Sequence, residues 1–382
     1  MAAKKKSFFI RGTYFDYPSL FLIFFLVLFG LMMVYSSSSF VASRDFKSST
    51  HFLSRQFVFA VGGFAMMVFV SRIRYQVYKR VTGFLILAMA IVLLLVFFVG
   101  TSTNGSTRWI YIGGIGFQPS EIAKLVIVLY MSHICTAKSN DLLSIKGIFK
   151  AFWPVGGLIV IIAIENLSTA IICAAIAAGI WFVATPKIRY MGIVVLVGAI
   201  FLPIMIKLQS YRSGRIDAWL HPETSKYGYQ TMQGLYAIGS GGLFGRGLGQ
   251  SIQKMGFIPE AQNDMIFSII CEELGIFGAA GLIIVFLMLL WRFRFIAEGA
   301  PDRYGSFIVV GVITHVAAQV LVNMCVVTNI IPNTGVTLPF ISYGGTSLFF
   351  LLIEMGVVLS VSRQIEPLSM IEEEEAERKA KL

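Results

Sequence analysis

The residues of this chain that carry chemistry are few, and most stand inside apolar runs. Glu121, Lys124, His133, Glu165, Glu272, Glu273, His315 and Glu354 all do so. An ionisable group in such a run costs at least a few kcal/mol in lipid and is by default paired or functional. Glu121 and Lys124 are three residues apart, so on a helix they share a face and can pair. A structural salt bridge and a polar floor beneath a substrate cavity are both open readings; a pure salt bridge predicts that a double charge swap is better tolerated than either single loss. Glu272 and Glu273 are adjacent, their side chains diverge by about 100°, and one of them is expected to face a bundle interior. Asp264 differs in kind, because it stands where a polar stretch meets an apolar helix, about 12 Å of helical rise from Glu272. A carboxylate there caps the helix, or it accepts a proton from a water-borne group, kept ionised by the helix terminus and made more basic by partly apolar surroundings. Position alone favours the cap.

Other arrangements are weaker. The run GSGGLFGRGLG, Gly239 to Gly249, lacks the GKS/T ending of a phosphate loop; a tight, membrane-skimming loop in which Arg246 offers one charge is the better reading. The four cysteines and four histidines are scattered singly, so neither a disulfide framework nor a zinc site is expected. No cofactor is required by the sequence, with a carboxylate-bound Mg²⁺ or Mn²⁺ left open.

The elements that must position these groups are membrane helices. Of 382 residues, 57% are hydrophobic and 13% charged, with mean hydropathy +0.79, where soluble domains carry about 25% charged residues. Ten continuous apolar segments can be marked: Leu20–Ser36, Phe52–Val70, Gly83–Gly100, Ile122–Cys135, Phe152–Ile164, Leu167–Thr185, Tyr190–Ile206, Met265–Trp291, Phe307–Ile330 and Ser347–Val361. They lack the alternation of barrel strands, so the expected fold is all-α, a polytopic membrane protein of ten transmembrane helices. The first is read as an uncleaved signal-anchor. The expected organisation is a cytoplasmic segment 1–19, a membrane domain 20–363 with one large extracytoplasmic loop at about 207–264, and a disordered cytoplasmic tail 364–382. Taking the N-terminus as inside places 20 of the 31 Lys and Arg on the terminal side, which orients both termini to the cytoplasm. The net charge of +11 is thus mostly an orientation signal, and no nucleic-acid partner is expected.

Several stretches together resemble one family, the SEDS proteins, the FtsW/RodA group of peptidoglycan glycosyltransferases. They are STRWIYIGGIGFQPSEIAKL (Ser106 to Leu125), YQTMQGLYAIGSGGLFGRGLGQSIQK (Tyr229 to Lys254), PEAQNDMIFSIICEELG (Pro259 to Gly275) and IPNTGVTLPFISYGGTS (Ile331 to Ser347). MVYSSSS at the end of the first span and TLPFISYGG before the last are more similar to FtsW than to RodA. The resemblance implies polymerisation of lipid II, a disaccharide-pentapeptide on undecaprenyl pyrophosphate, at the outer face of the bacterial inner membrane, at the division septum. It places catalysis on Asp264, as base for the acceptor 4-hydroxyl in an inverting displacement, and so overrides the capping reading. It brings Gln118, Pro119, Ser120, Glu121 and Lys124 into the family's QPSExxK motif, and Glu121, Lys124, Thr169 and Ser342, the last two in further matching stretches, are expected to bind substrate. Arg108, Arg212, Arg215, Arg246 and Lys254 are the external cations from which pyrophosphate ligands would be drawn. The family's PDxGTA reads ENLSTA here, with Asn166 for Asp and Ser168 for Gly, so a mechanism needing a second carboxylate there is in doubt. The implied partners are a class B penicillin-binding protein, other division proteins and membrane lipids. The competing readings are a RodA-like elongation polymerase, a lipid II flippase or transporter, and a scaffold that has lost the chemistry.

Overall fold

The structure, a computed structural model, describes residues 15–103, 106–112, 115–137, 145–185, 189–207, 210–225 and 228–365. Each of the ten apolar segments lies on a helix: α1 (Tyr17–Phe46), α2 (His51–Ser71), α3 (Tyr78–Val99), α4 (Pro119–Ala137), α5 (Ile145–Glu165), α6 (Leu167–Ala184), α7 (Arg189–Lys207), α10 (Ile266–Glu298), α11 (Arg303–Val327) and α12 (Gly345–Ser362). Two shorter helices, α8 (Ser210–Leu220) and α9 (Tyr229–Gly241), fill much of the long loop. Among the described residues, nine helices, all the long ones except α7, are long and apolar enough to cross a membrane. Helix is the required form, because lipid offers the backbone no hydrogen-bond partners. The expected N-terminal segment and tail lie largely on 1–14 and 366–382, outside the described residues.

One addition to the all-helical expectation is a small antiparallel sheet in the order β1 (Thr101–Thr103), β2 (Ser106–Ile112) and β3 (Ile115–Phe117). Its longest strand, STRWIYI, is rich in β-branched and aromatic residues, which suit a pleated surface.

α4 and α12 are the most enclosed spans. Outward faces carry Phe21, Val58, Phe84 and Trp153, each 66–72% exposed, side chains that lipid solvates. Two polar girdles frame this apolar layer. At one, Arg292 of α10 pairs with Asp16, at the head of α1, at 2.8 Å. At the other, Glu273 of α10 accepts from Ser36 of α1 and pairs with Lys254, each at 2.7 Å. Asp16 to Ser36 along α1 amounts to about 30 Å of helical rise, the thickness of a hydrocarbon core, and the partners on α10, Glu273 and Arg292, lie on either side of Gly275. Beyond the second girdle, α1 and α10 project past the layer on the face that carries the long loop.

α10 is broken at Gly275 (φ 67°, ψ −167°), and the glycine-rich loop fills the break. Before it, the carbonyls of Glu272 and Glu273 accept from the N–H groups of Arg246 and Gly247, both at 2.9 Å; after it, Ile276 and Phe277 donate to the carbonyls of Gly242 and Leu243. A Cβ at Gly245 would lie 2.2 Å from the Glu273 oxygen, and one at Gly275 would lie 2.4 Å from the Gly245 nitrogen. The loop therefore serves as a backbone splint, and glycine is required at both contact points.

Candidate active site

Asp264 precedes α10 on the projecting side. It does not cap the helix: Met265 is the N-cap residue and makes no side-chain cap bond. The Asp264 carboxylate accepts from Gln230 Nε2 of α9 at 3.3 Å, and its backbone carbonyl accepts from Asn323 Nδ2 of α11 at 2.8 Å. Facing it is the strap of residues 328–344 that joins α11 to α12. The strap turns at Gly335 (φ 68°), where an added Cβ would lie 3.9 Å from the Arg215 guanidinium nitrogens and 4.0 Å from Asp264 Oδ2. A bare glycine thus separates a carboxylate from a guanidinium. Arg215 Nη1 donates to the Asn333 carbonyl at 2.9 Å, Asn333 Nδ2 donates to Gln230 Oε1 at 3.4 Å, and Ser168 Oγ donates to the Thr334 carbonyl at 2.8 Å. Burial pushes the Asp264 carboxyl up to about 6, with the Glu260 charge adding to the rise and Arg215 opposing it. A carboxylate so placed is a base suited to operation near neutral pH.

The Glu121–Lys124 pair forms as the spacing predicts, at 2.9 Å, with Lys124 only 3% exposed. It belongs to a larger network: Ser347 of α12 donates to Glu121 at 2.7 Å, and Lys124 Nζ donates to Gln319 Oε1 of α11 at 3.2 Å. Gln319 Nε2 in turn donates to the Thr337 carbonyl of the strap at 3.0 Å. The ion pair is therefore tied to the strap two residues from Gly335.

The remaining cations separate by environment. Among the described residues, Arg215 is the loop cation that faces Asp264, across Gly335. Arg212 donates to the carbonyls of Ala163, Ile164 and Met205, closing the ends of α5 and α7. Lys254 is 4% exposed and held by Glu273 and Ser36. Arg246 is 3.7 Å from Glu272. Arg108 lies on β2, and its side chain is outside the described residues. Ser342 is buried, and its hydroxyl accepts from the Leu338 N–H at 2.8 Å, closing a turn of the strap. Thr169 is buried in the first turn of α6, where its N–H donates to Asn166 Oδ1 at 3.2 Å. Asn166 thus caps α6, a role its amide oxygen fills as a carboxylate would. The expectation that one of Glu272 and Glu273 faces inward is corrected: both are buried, because residues 251–254 curl around them. Glu272 accepts from Ser251 Oγ and from the N–H groups of Ile252 and Gln253.

Sequence reasoning missed the uncharged contributors Gln230, Asn323, Asn333 and Gln319. One signal was present: His315, Gln319 and Asn323 recur every four residues in an apolar span, placing polar groups along one helical face. Among the described residues, no three His, Cys, Asp or Glu side chains gather as a metal site.

Fold and site together define a polytopic helical membrane protein with a partly buried carboxylate, Asp264, where the long loop meets α10. Residues 18–366 match the family model of the FtsW, RodA and SpoVE cell cycle proteins. The chain belongs to this family. It is 39% identical over 347 residues to stage V sporulation protein E of Bacillus subtilis, covering 88% of this chain and 94% of that one. It is 36% identical to the probable peptidoglycan glycosyltransferase FtsW of Geobacter metallireducens, covering 89% and 92%. Among solved structures it is similar to a chain of a peptidoglycan synthase complex that coordinates polymerisation and crosslinking (TM-score 0.78, 25% identity, 92% of this chain and 98% of that one). It is also similar to the rod shape determining protein RodA of Thermus thermophilus (TM-score 0.68, 25% identity, 92% and 98%).

Proposed function

We propose that this protein is an inverting peptidoglycan glycosyltransferase that polymerises lipid II, with Asp264 as the base. The observation that carries the reading is a partly buried carboxylate, raised to about 6, facing Arg215 across Gly335 beyond the apolar layer. A sugar hydroxyl is a poor nucleophile until a base takes its proton. In the proposed step the acceptor 4-hydroxyl gives its proton to Asp264 while its oxygen bonds to the donor anomeric carbon, and the bond from that carbon to undecaprenyl pyrophosphate breaks with inversion. The negative charge leaves on the pyrophosphate, and a cation such as Arg215 supports it.

The loop face is then the outer face and both termini are cytoplasmic, as the Lys and Arg distribution favours. Relatives named FtsW, with the MVYSSSS and TLPFISYGG motifs, support a septal role. The likeness to a chain of a synthase complex supports a crosslinking partner, a class B penicillin-binding protein. A transporter reading needs a site near mid-membrane, whereas Asp264 stands beyond the second girdle. The test is an assay of purified protein with lipid II: Asp264→Ala and Asp264→Asn fold, bind lipid II and make no glycan polymer. Polymer at the wild-type rate from either variant overturns the assignment.

A further inference from the structure

A polar ladder on α11 is left unexplained by the proposed chemistry. His315, Gln319 and Asn323 are 2%, 4% and 0% exposed and line one face of the helix. Asn323 Nδ2 donates both to the Asp264 carbonyl and to the Val336 carbonyl, each at 2.8 Å. Gln319 grips the next carbonyl of the strap, that of Thr337. Two adjacent peptide units, one residue beyond Gly335, are therefore held by two adjacent rungs.

The orientation of the Gln319 amide follows from its partners. The Thr337 carbonyl only accepts, so Nε2 must face it, and Oε1 is left for Lys124 Nζ at 3.2 Å and His315 Nε2 at 2.9 Å. Because Oε1 only accepts, His315 Nε2 must carry a hydrogen. The other ring nitrogen, Nδ1, lies 2.8 Å from Glu354 Oε2, so a proton is shared between imidazole and carboxylate, whichever atom holds it. Glu354 thus fixes the imidazole, the imidazole fixes the Gln319 amide, and the amide orients Lys124 on one side and the strap on the other.

We infer that Gln319 is a positioning residue for the glycosyl transfer, locked by the His315–Glu354 pair, which holds the Lys124 ammonium and the Gly335 wall of the site in register with Asp264. The inference rests on the reading of Asp264 as the base. It assigns this mid-membrane pair a task that is neither ion transport nor direct contact with substrate.

The test uses full-length protein with its co-purified partner. Gln319→Met is expected to lower kcat for lipid II polymerisation by about ten- to a hundredfold with KM changed less than about twofold, and to speed hydrogen exchange at residues 333–337. Gln319→Glu keeps the acceptor for Lys124 but loses the donor to Thr337, and is expected to show the same faster exchange. The double variant His315→Leu with Glu354→Leu leaves no unpaired buried charge. It is expected to lower kcat in the same way and to add no further loss when combined with Gln319→Met. If Gln319→Met does not fold, the double variant carries the test with the same readouts. A kcat within twofold of wild type, unchanged exchange at 333–337, or losses that simply multiply would overturn the inference. Asp264→Asn run alongside separates the two claims: polymer from that variant overturns the site itself, whereas its inactivity beside a fully active Gln319→Met overturns only the positioning role.

Discussion

If Asp264 is the base, the rate of polymerisation is set on its acid side by the ionised fraction of that carboxyl. With its pKa raised from the ordinary 3.8 to about 6, the ionised fraction is about 0.9 at pH 7, about 0.5 at pH 6 and about 0.1 at pH 5. The value of kcat/KM should therefore fall roughly tenfold between pH 7 and pH 5, whereas an unshifted carboxyl would hold it nearly constant. Initial rates of glycan formation from lipid II, measured with the protein in detergent across pH 4.5–8, read this limb directly. Two substitutions give its sign. Glu260→Gln removes a negative charge and should move the limb to lower pH; Arg215→Gln removes a positive charge and should move it to higher pH. The same shift has a counterpart in stability. A carboxyl with a raised folded pKa contributes stability below about 3.8 that is lost as pH rises through about 6. At about 1.4 kcal/mol per pH unit the gap is worth about 3 kcal/mol at neutral pH, so inactive Asp264→Asn should melt at or above the wild-type temperature. A flat profile down to pH 5, or charge variants that move the limb the wrong way, would refute the placement of the base.

Three further outcomes follow from packing and charge. The double swap Glu121→Lys with Lys124→Glu should be as inactive as the single losses, contrary to a pure salt bridge, because a carboxylate at 124 would face the fixed Gln319 oxygen; polymerisation rates of the three variants decide it. Lys254→Met strands the buried Glu273 carboxylate and should cost about 3–5 kcal/mol, read as a large drop in melting temperature, while Lys254→Met with Glu273→Met should recover most of it. Gly245→Ala places a methyl 2.2 Å from the Glu273 carbonyl in a left-handed conformation and should destabilise the fold by at least about 2 kcal/mol, seen in thermal melts of the detergent-solubilised protein.

Hydropathy made the spans legible, since continuous apolar runs in this chain have no other economical home, and all ten fall on helices. The Glu121–Lys124 contact was equally legible, because three residues on a helix fix its geometry. Depth was not. Arg212, Arg215, Arg246 and Lys254 share one loop in sequence, yet Arg215 faces the carboxylate across Gly335 while Lys254 is buried against Glu273. A loop's cations read as exposed until the fold shows what curls around them. The roles of Gln230, Asn323 and Asn333 were hidden for another reason: amides carry no charge to penalise in an apolar run, and their value lies in long-range partners that spacing cannot reveal. Asp264 itself was ambiguous by position and became specific only through the motif around it.

The two girdles give the site a fixed altitude. Asp264 lies nine residues before Glu273, just ahead of α10, so its height is tied to the Glu273 cluster that joins α10 to α1. A sugar tethered by a pyrophosphate to an embedded isoprenoid chain is delivered to that altitude by its own leash, while a free sugar in solution must find it by chance. With Asp264 as the base, tether length contributes to substrate choice through the separation of two polar clusters between α1 and α10, not through any residue that touches the sugar.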